Sequence, residues 1–227
     1  MTPNINEAVI NIRKPIGWTS NDVVRRVKKM FPQVKVGHAG SLDPFADGVL
    51  LVCTGKATKQ VSQFMELEKA YRAVFQFGIE TDTADISGMI SRRQPPDALS
   101  SEKIIQVLPH FRGEIEQSPP LYSAIHIEGK RAYHLVRSGE KPELEKRRIH
   151  IYQLELLELD ETCATFDIVC AKGVYIRSLA VDIAQAIGEI AFVKKLTRMR
   201  IGDYQLQDSL NITDVHKIFS TCEDGIF

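Results

Sequence analysis

The sequence predicts an α+β protein with a mixed, largely antiparallel central sheet flanked by helices. Extended segments with a two-residue alternation recur along the chain, as in Tyr71, Ala73, Phe75 and Phe77, and again in Phe166, Ile168 and Cys170. Segments with helical apolar spacing are interspersed, such as Val23, Val24, Val27 and Met30. Their order does not follow the regular strand-helix alternation of a doubly wound sheet.

Residues 9–13 read as a strand stopped by Lys14-Pro15 and Gly17, after which Thr19 or Ser20 caps a helix to about 31. A loop is expected from 32 to 48, punctuated by Gly37, Gly40 and Pro44, before the apolar strand 49–53. A loop of that length inside a compact domain usually serves function. A helix over 57–67 precedes the strand that ends at Gly78, and 81–88 is turn-like and rich in Asp and Thr. Ser100 or Ser101 starts a helix to about 111, residues 113–127 look extended, and 130–137 reads as a short helix. Strands follow at 147–159 and 164–171. Gly173-Val174-Tyr175 then leads into a helix closed by Gly188, followed by a strand near 198–204 and a short helix near 213–219.

Composition removes several classes of function. Cys53, Cys163, Cys170 and Cys222 form no CxxC pair, and the six histidines include no HExxH, so neither a metal nor a disulfide framework is expected. No apolar run approaches the ~20 residues needed to span a bilayer, and the N-terminus carries no secretion signal, so a cytoplasmic location without membrane contact is expected. Lys+Arg and Asp+Glu both total 29, a neutral balance, so any nucleic-acid surface must be local. Candidates are Arg25-Arg26-Val27-Lys28-Lys29, Lys146-Arg147-Arg148, and Lys194-Lys195 with Arg198 and Arg200; each alone also reads as a solvated helix face or edge strand.

The segment around Asp43 departs most from scaffold chemistry. Pro44 pushes Asp43 out of the helical region, and the neighbouring glycines permit close approach of another backbone. Taken alone, Asp43 reads as an Asp-Pro turn. However, His38-Ala39-Gly40-Ser41-Leu42-Asp43-Pro44-Phe45-Ala46-Asp47-Gly48-Val49-Leu50 resembles the signature of the bacterial tRNA pseudouridine-55 synthases, the TruB family. Further segments arrive in that family's order: Lys14-Pro15-Ile16-Gly17-Trp18-Thr19-Ser20, Lys69-Ala70-Tyr71-Arg72, Thr81-Asp82-Thr83-Ala84-Asp85, Tyr122-Ser123-Ala124, Lys172-Gly173-Val174-Tyr175-Ile176-Arg177 and Leu196-Thr197-Arg198. The resemblance runs from about residue 8 to about residue 215.

The resemblance implies a pseudouridine synthase fold and an isomerase that converts uridine-55 in the T-loop of tRNA to pseudouridine through a flipped-out base. Asp43 matches the family's covalent nucleophile, a role a carboxylate suits because it can attack carbon and later leave. Arg177 matches the arginine that holds that carboxylate. It falls in the first turn of a predicted helix, where the macrodipole disfavours a cation, so a partner carboxylate would explain it. Tyr71 matches the tyrosine that stacks on the target base, although on the face it shares with Phe75 and Phe77 it also reads as core. His38 and Tyr175 match positions that contact RNA or line the pocket, and Leu196 matches an apolar pocket position. The chemistry, with no net redox change and no group lost, asks for no cofactor.

The expected architecture is a single catalytic domain, 1–227, with an RNA-gripping insertion near 119–139 and without the small C-terminal RNA-binding domain of many family members. The expected partner is the T stem-loop of tRNA. No obligatory protein partner is expected, and a monomer is. The alternatives are an RNA-binding or tRNA-folding module with incidental catalysis, and a dyskerin-like synthase that depends on a guide RNA. A small-molecule glycosidase would need a second, paired carboxylate, and none stands out.

Overall fold

The computed structural model describes residues 4–96, 99–120, 122, 126–127, 130–131 and 144–220. In chain order its strands are β1 (Val9–Lys14), β2 (Val36–Ala39), β3 (Asp47–Thr54), β4 (Lys69–Phe77), β5 (Ile79–Thr81), β6 (Ile90–Arg93), β7 (Gly113–Gln117), β8 (His126–Ile127), β9 (Lys130–Arg131), β10 (Arg147–Leu159), β11 (Cys163–Cys170), β12 (Ala191–Ile201) and β13 (Tyr204–Gln205). The helices are α1 (Ser20–Met30), α2 (Val61–Glu66), α3 (Ser101–Val107), α4 (Ile176–Ala186) and α5 (Val215–Ser220). The chain divides into two compact units, Met1–Tyr71 with Leu196–Phe227, and Arg72–Lys195.

In the first unit β1 and β2 both pair antiparallel with β3, in the registers Ile12↔Leu50 and His38↔Val52. β12 joins β3 in parallel through Thr197↔Asp47 and Arg198↔Gly48. All eight residues of β3 are buried, as its unbroken apolar run requires of a strand covered on both faces. Leu50 and Val52 face a core with Ile10, Ile12, Val23, Val27 and Phe219, whereas Val49 and Leu51 face one with Ala39 and Ile201. At Gly48 the backbone of β3 runs close against Arg198 of β12. The φ of Gly48 is +118°, and a Cβ there would lie 2.3 Å from the Arg198 carbonyl oxygen, so only glycine fits. Helix α1 begins where the sequence places it. Thr19 accepts from the Asp22 N–H while the Asp22 carboxylate accepts from the Thr19 N–H, a reciprocal capping box.

In the second unit β10 pairs antiparallel with β11 and with β7, and β5 with β6. Phe75 of β4 and Phe166 of β11 stack with ring centroids 4.6 Å apart inside this core. Helix α4 buries Leu179, Ala180, Ile183 and Ala184, and the chain leaves it through Gly188 at φ +80°.

The structure corrects several element boundaries. The expected loop 32–48 contains β2, so His38 sits on a strand; four residues with one large apolar side chain are too few for periodicity to reveal. The helix expected over 57–67 is a 3₁₀ segment, Gly55–Gln60, followed by a short α-helix. The strand expected near 198 starts seven residues earlier, at Ala191, because Lys194 and Lys195 break the apolar pattern without breaking the strand. Lys130 and Arg131 form a strand rather than the start of a helix, and the rest of that expected helix lies outside the described residues.

Candidate active site

His38, Asp43, Tyr71 and Leu196 belong to the first unit, and Tyr175 and Arg177 to the second. Each group is described within its own unit.

In the first unit the loop between β2 and β3 presents Asp43 on a backbone held from several sides. The Ala46 N–H donates to the Asp43 carbonyl at 3.1 Å, so the main chain does turn at Pro44. Arg198, only 1% exposed, donates to the carbonyls of Gly40 (3.2 Å), Ser41 (3.1 Å) and Val49 (2.7 Å). Ser20 takes both polar groups of Leu42, accepting from its N–H at 2.9 Å and donating to its carbonyl at 3.3 Å. On the far side of Asp43, the Pro44 carbonyl accepts from the Gly17 N–H at 2.7 Å and from Lys14 Nζ at 3.4 Å. Lys14 is fully buried and also donates to the carbonyls of Pro15 and Trp18. The loop carbonyls on both flanks of Asp43 are therefore satisfied by donors that cannot drift, and the half-buried Asp43 is carried on a fixed frame.

The electrostatics follow from burial. Desolvation pulls the Lys14 amine down to about 8, against the attraction of Asp47 and Asp43, which favour its cation. Asp47, four residues after Asp43, is buried and bound to Arg13 at 2.7 Å and to the Thr197 hydroxyl at 2.6 Å, which fixes the loop's exit to β12 beside the buried Leu196. Desolvation, helped by the Arg198 charge, lowers the pKa of His38, so its imidazole is neutral at neutral pH. Its buried Nδ1 has no hydrogen-bond partner among the described residues. Tyr71, near the start of β4, is half-buried, unlike Ala73, Phe75 and Phe77 of the same strand, which are fully buried and form the core face. The face that is closed over Phe75 and Phe77 is thus only partly covered at Tyr71.

In the second unit α4 opens with Tyr175 as its N-cap residue. The Gln117 side chain brackets the Tyr175 peptide, accepting from its N–H at 2.8 Å and donating to its carbonyl at 3.1 Å. Two residues on, Arg177 is 4% exposed and donates to the carbonyls of Thr83 and Tyr122, each at 3.1 Å. Its guanidinium also lies 3.6 Å from Asp85. Asp85 in turn accepts from the Thr83 hydroxyl at 2.9 Å and from the Ser87 N–H at 2.9 Å, and Ala84 adopts φ +57° to shape this turn. A cation in the first turn of a helix thus has a carboxylate partner, as its position demands, and within this unit it is Asp85.

Lys14, Ser20, Asp85 and Arg198 lie in the motifs quoted above, but the sequence does not assign them these roles: it offers Ser20 as an alternative cap, whereas the cap is Thr19, and Arg198 as a candidate for a basic RNA surface, whereas Arg198 is 1% exposed and bonded to backbone carbonyls. One signal was present: Lys14 shares strand parity with Ile10 and Ile12, which places it on the buried face of β1. Among the described residues no group of three His, Cys, Asp or Glu side chains is placed to hold a metal, and no helix is long and apolar enough to cross a membrane.

Residues 28–176 match the family described as TruB family pseudouridylate synthase, N-terminal domain. The chain belongs to this family. It is 42% identical over 209 residues to the tRNA pseudouridine synthase B of Clostridium tetani, covering 92% of this chain and 72% of that protein. It is 43% identical over 213 residues to the tRNA pseudouridine synthase B of Bacteroides thetaiotaomicron, covering 89% of each. Among solved structures, a chain in a crystal structure of a Cbf5-Nop10-Gar1 complex superposes with a TM-score of 0.75 at 32% identity, over 99% of this chain and 58% of that one. A chain in a structure of an H/ACA RNP bound to a substrate RNA containing 2′-deoxyuridine gives a TM-score of 0.72 at 29% identity, over 98% and 57%. This TruB-family chain therefore spans less than three fifths of those solved chains, and its α+β architecture is that of a pseudouridine synthase.

Proposed function

We propose that this TruB-family chain is a tRNA pseudouridine synthase that isomerises uridine-55 in the T-loop through a covalent intermediate on Asp43. The observation that carries the reading is the clamped loop: every carbonyl from Gly40 to Leu42, and that of Pro44, is held by buried or backbone donors, which fixes the backbone that carries Asp43. Family membership and relatives named tRNA pseudouridine synthase B support the substrate.

In this mechanism the T-loop uridine leaves its stack and its base lies against Tyr71. The N1–C1′ bond breaks while Asp43 forms a covalent bond to the substrate. The detached uracil rotates, C5 bonds to C1′, Asp43 departs, and the proton from C5 is removed with Tyr71 as the base while N1 is protonated. Arg177 is the cation the reaction calls on to keep a carboxylate ionised, as a planar two-pronged donor can. Its contacts to Thr83, Tyr122 and Asp85 fix its orientation. His38, a neutral imidazole whose buried Nδ1 has no partner among the described residues, contacts the RNA. Tyr175 and Leu196 line the pocket, and the insertion near 119–139, most of it outside the described residues, grips the stem-loop. The enzyme acts in the cytoplasm as a monomer without an obligatory protein partner.

Incubating purified chain with T stem-loop RNA and analysing the nucleosides tests this reading. Pseudouridine is expected from the chain alone and is lost in Asp43→Asn, with RNA binding largely kept. No pseudouridine at saturating RNA would sink the catalytic assignment, and formation only after adding a second protein would overturn the stand-alone reading.

A further inference from the structure

We propose that the groove beside the N-terminal half of α1 is a second RNA-docking surface, which takes the sugar-phosphate backbone and one base of the RNA next to the target nucleotide. The groove is about 570 Å³ and is lined by Gly17, Trp18, Asp22, Arg25, Arg26 and Lys29. Three cations line it against one carboxylate, and that carboxylate is already taken: Asp22 pairs with Arg25 and accepts from the Thr19 N–H. Arg26 and Lys29 are exposed and form no ion pair among the described residues. Lys28, which points elsewhere, is tied to the Val34 carbonyl at 2.7 Å. Two cations left without a protein anion, side by side in a concave site, match a phosphodiester chain better than a protein surface.

The aromatic wall completes the match. Trp18 packs partly against the core yet stays half-exposed at the groove, where its indole offers a stacking face for a base. The groove also adjoins the chemistry. Gly17 donates to the carbonyl of Pro44, the residue that follows Asp43, and the Trp18 carbonyl shares Lys14 with that same oxygen. RNA whose target nucleotide reaches Asp43 therefore has its neighbouring backbone at the mouth of this groove. The proposal rests on the reading of RNA as the substrate, and its test is separable from the assay of catalysis.

Trp18 is the chain's only tryptophan, so its emission reports on the groove alone. T stem-loop RNA is titrated into Asp43→Asn, which binds without turnover, with and without Arg26→Gln and Lys29→Gln, at several salt concentrations. RNA is expected to quench Trp18. The double substitution is expected to weaken binding by about tenfold and to lower the slope of log affinity against log salt by about two, one for each phosphate no longer neutralised. Both side chains are exposed, so the variants fold, which a thermal melt checks. An unaltered slope, or a Trp18 emission that RNA leaves unmoved, overturns the proposal. Pseudouridine formed by the unsubstituted chain alongside an unaltered slope removes the groove and keeps the enzyme; a lowered slope without pseudouridine does the reverse.

Discussion

Arg198 in the first unit and Arg177 in the second are both nearly fully buried, yet the protein replaces their water in opposite ways. Arg198 meets three neutral backbone carbonyls, all belonging to the nucleophile loop or the start of β3. Arg177 meets two carbonyls and the buried carboxylate of Asp85. The first arrangement uses a cation to hold backbone in place. The second holds a guanidinium by its own charge partner, at the end of a turn whose shape depends on that same carboxylate. One arginine is a clamp and the other is itself clamped, and the two should respond differently when their partners are altered.

The largest effect is expected at the charged pair. Arg177→Met leaves Asp85 buried without its cation and should lower stability by about 3–5 kcal/mol, read by urea denaturation. Adding Asp85→Asn removes the stranded charge and should restore most of that stability, while turnover stays abolished. If the double variant is as unstable as the single one, the pair is not what holds Arg177, and the contrast with Arg198 fails.

Arg198→Met should cost somewhat less, about 2–4 kcal/mol, because it strands three neutral acceptors rather than a charge. No single second substitution can rescue it, since its partners are backbone. Arg198→Lys, able to reach fewer of the three carbonyls, should recover part of the stability and less of the turnover, because the loop regains a cation but not its shape. Full recovery of turnover by lysine would show that charge, not the three-point hold, is what Arg198 supplies. A smaller change of the same kind is Ser20→Ala, which frees both polar groups of Leu42: about 1–2 kcal/mol, with turnover at saturating RNA falling about tenfold as Asp43 loses its fixed approach.

These supports also mark where the sequence stopped being readable. Helix α1, its Thr19 cap, strand β10 and the closing Gly188 were legible because caps, periodicity and glycine act within a few residues of chain. Asp43, Arg177 and Tyr71 were legible as candidates only through the ordered motifs that resemble a known family. The partnerships were not: Arg198 to Gly40 spans 158 positions and Arg177 to Thr83 spans 94, and nothing local in the sequence encodes contacts at that range. β2 escaped for a different reason, since its pairing to β3 is a property of the partner strand rather than of Val36-Gly37-His38-Ala39.

Lys14 gives the smallest and sharpest version of the contrast, because an arginine keeps its proton at any accessible pH whereas a buried lysine can lose it. Lys14 in the folded chain titrates at about 8, and in the unfolded chain near the ordinary 10.5. Between those values the unfolded chain binds more protons, so stability contributed by this site rises with pH across that window and is lost again as pH falls through about 8. Comparing the unsubstituted chain with Lys14→Met should therefore show the stability difference shifting in favour of lysine, by on the order of 1 kcal/mol, from pH 8 to pH 9.5. The same comparison at Arg198 should be flat. If the Lys14 difference is flat as well, its three carbonyl partners hold the cation through alkaline pH, and the loop rests on two permanent charges instead of one permanent and one that pH can remove.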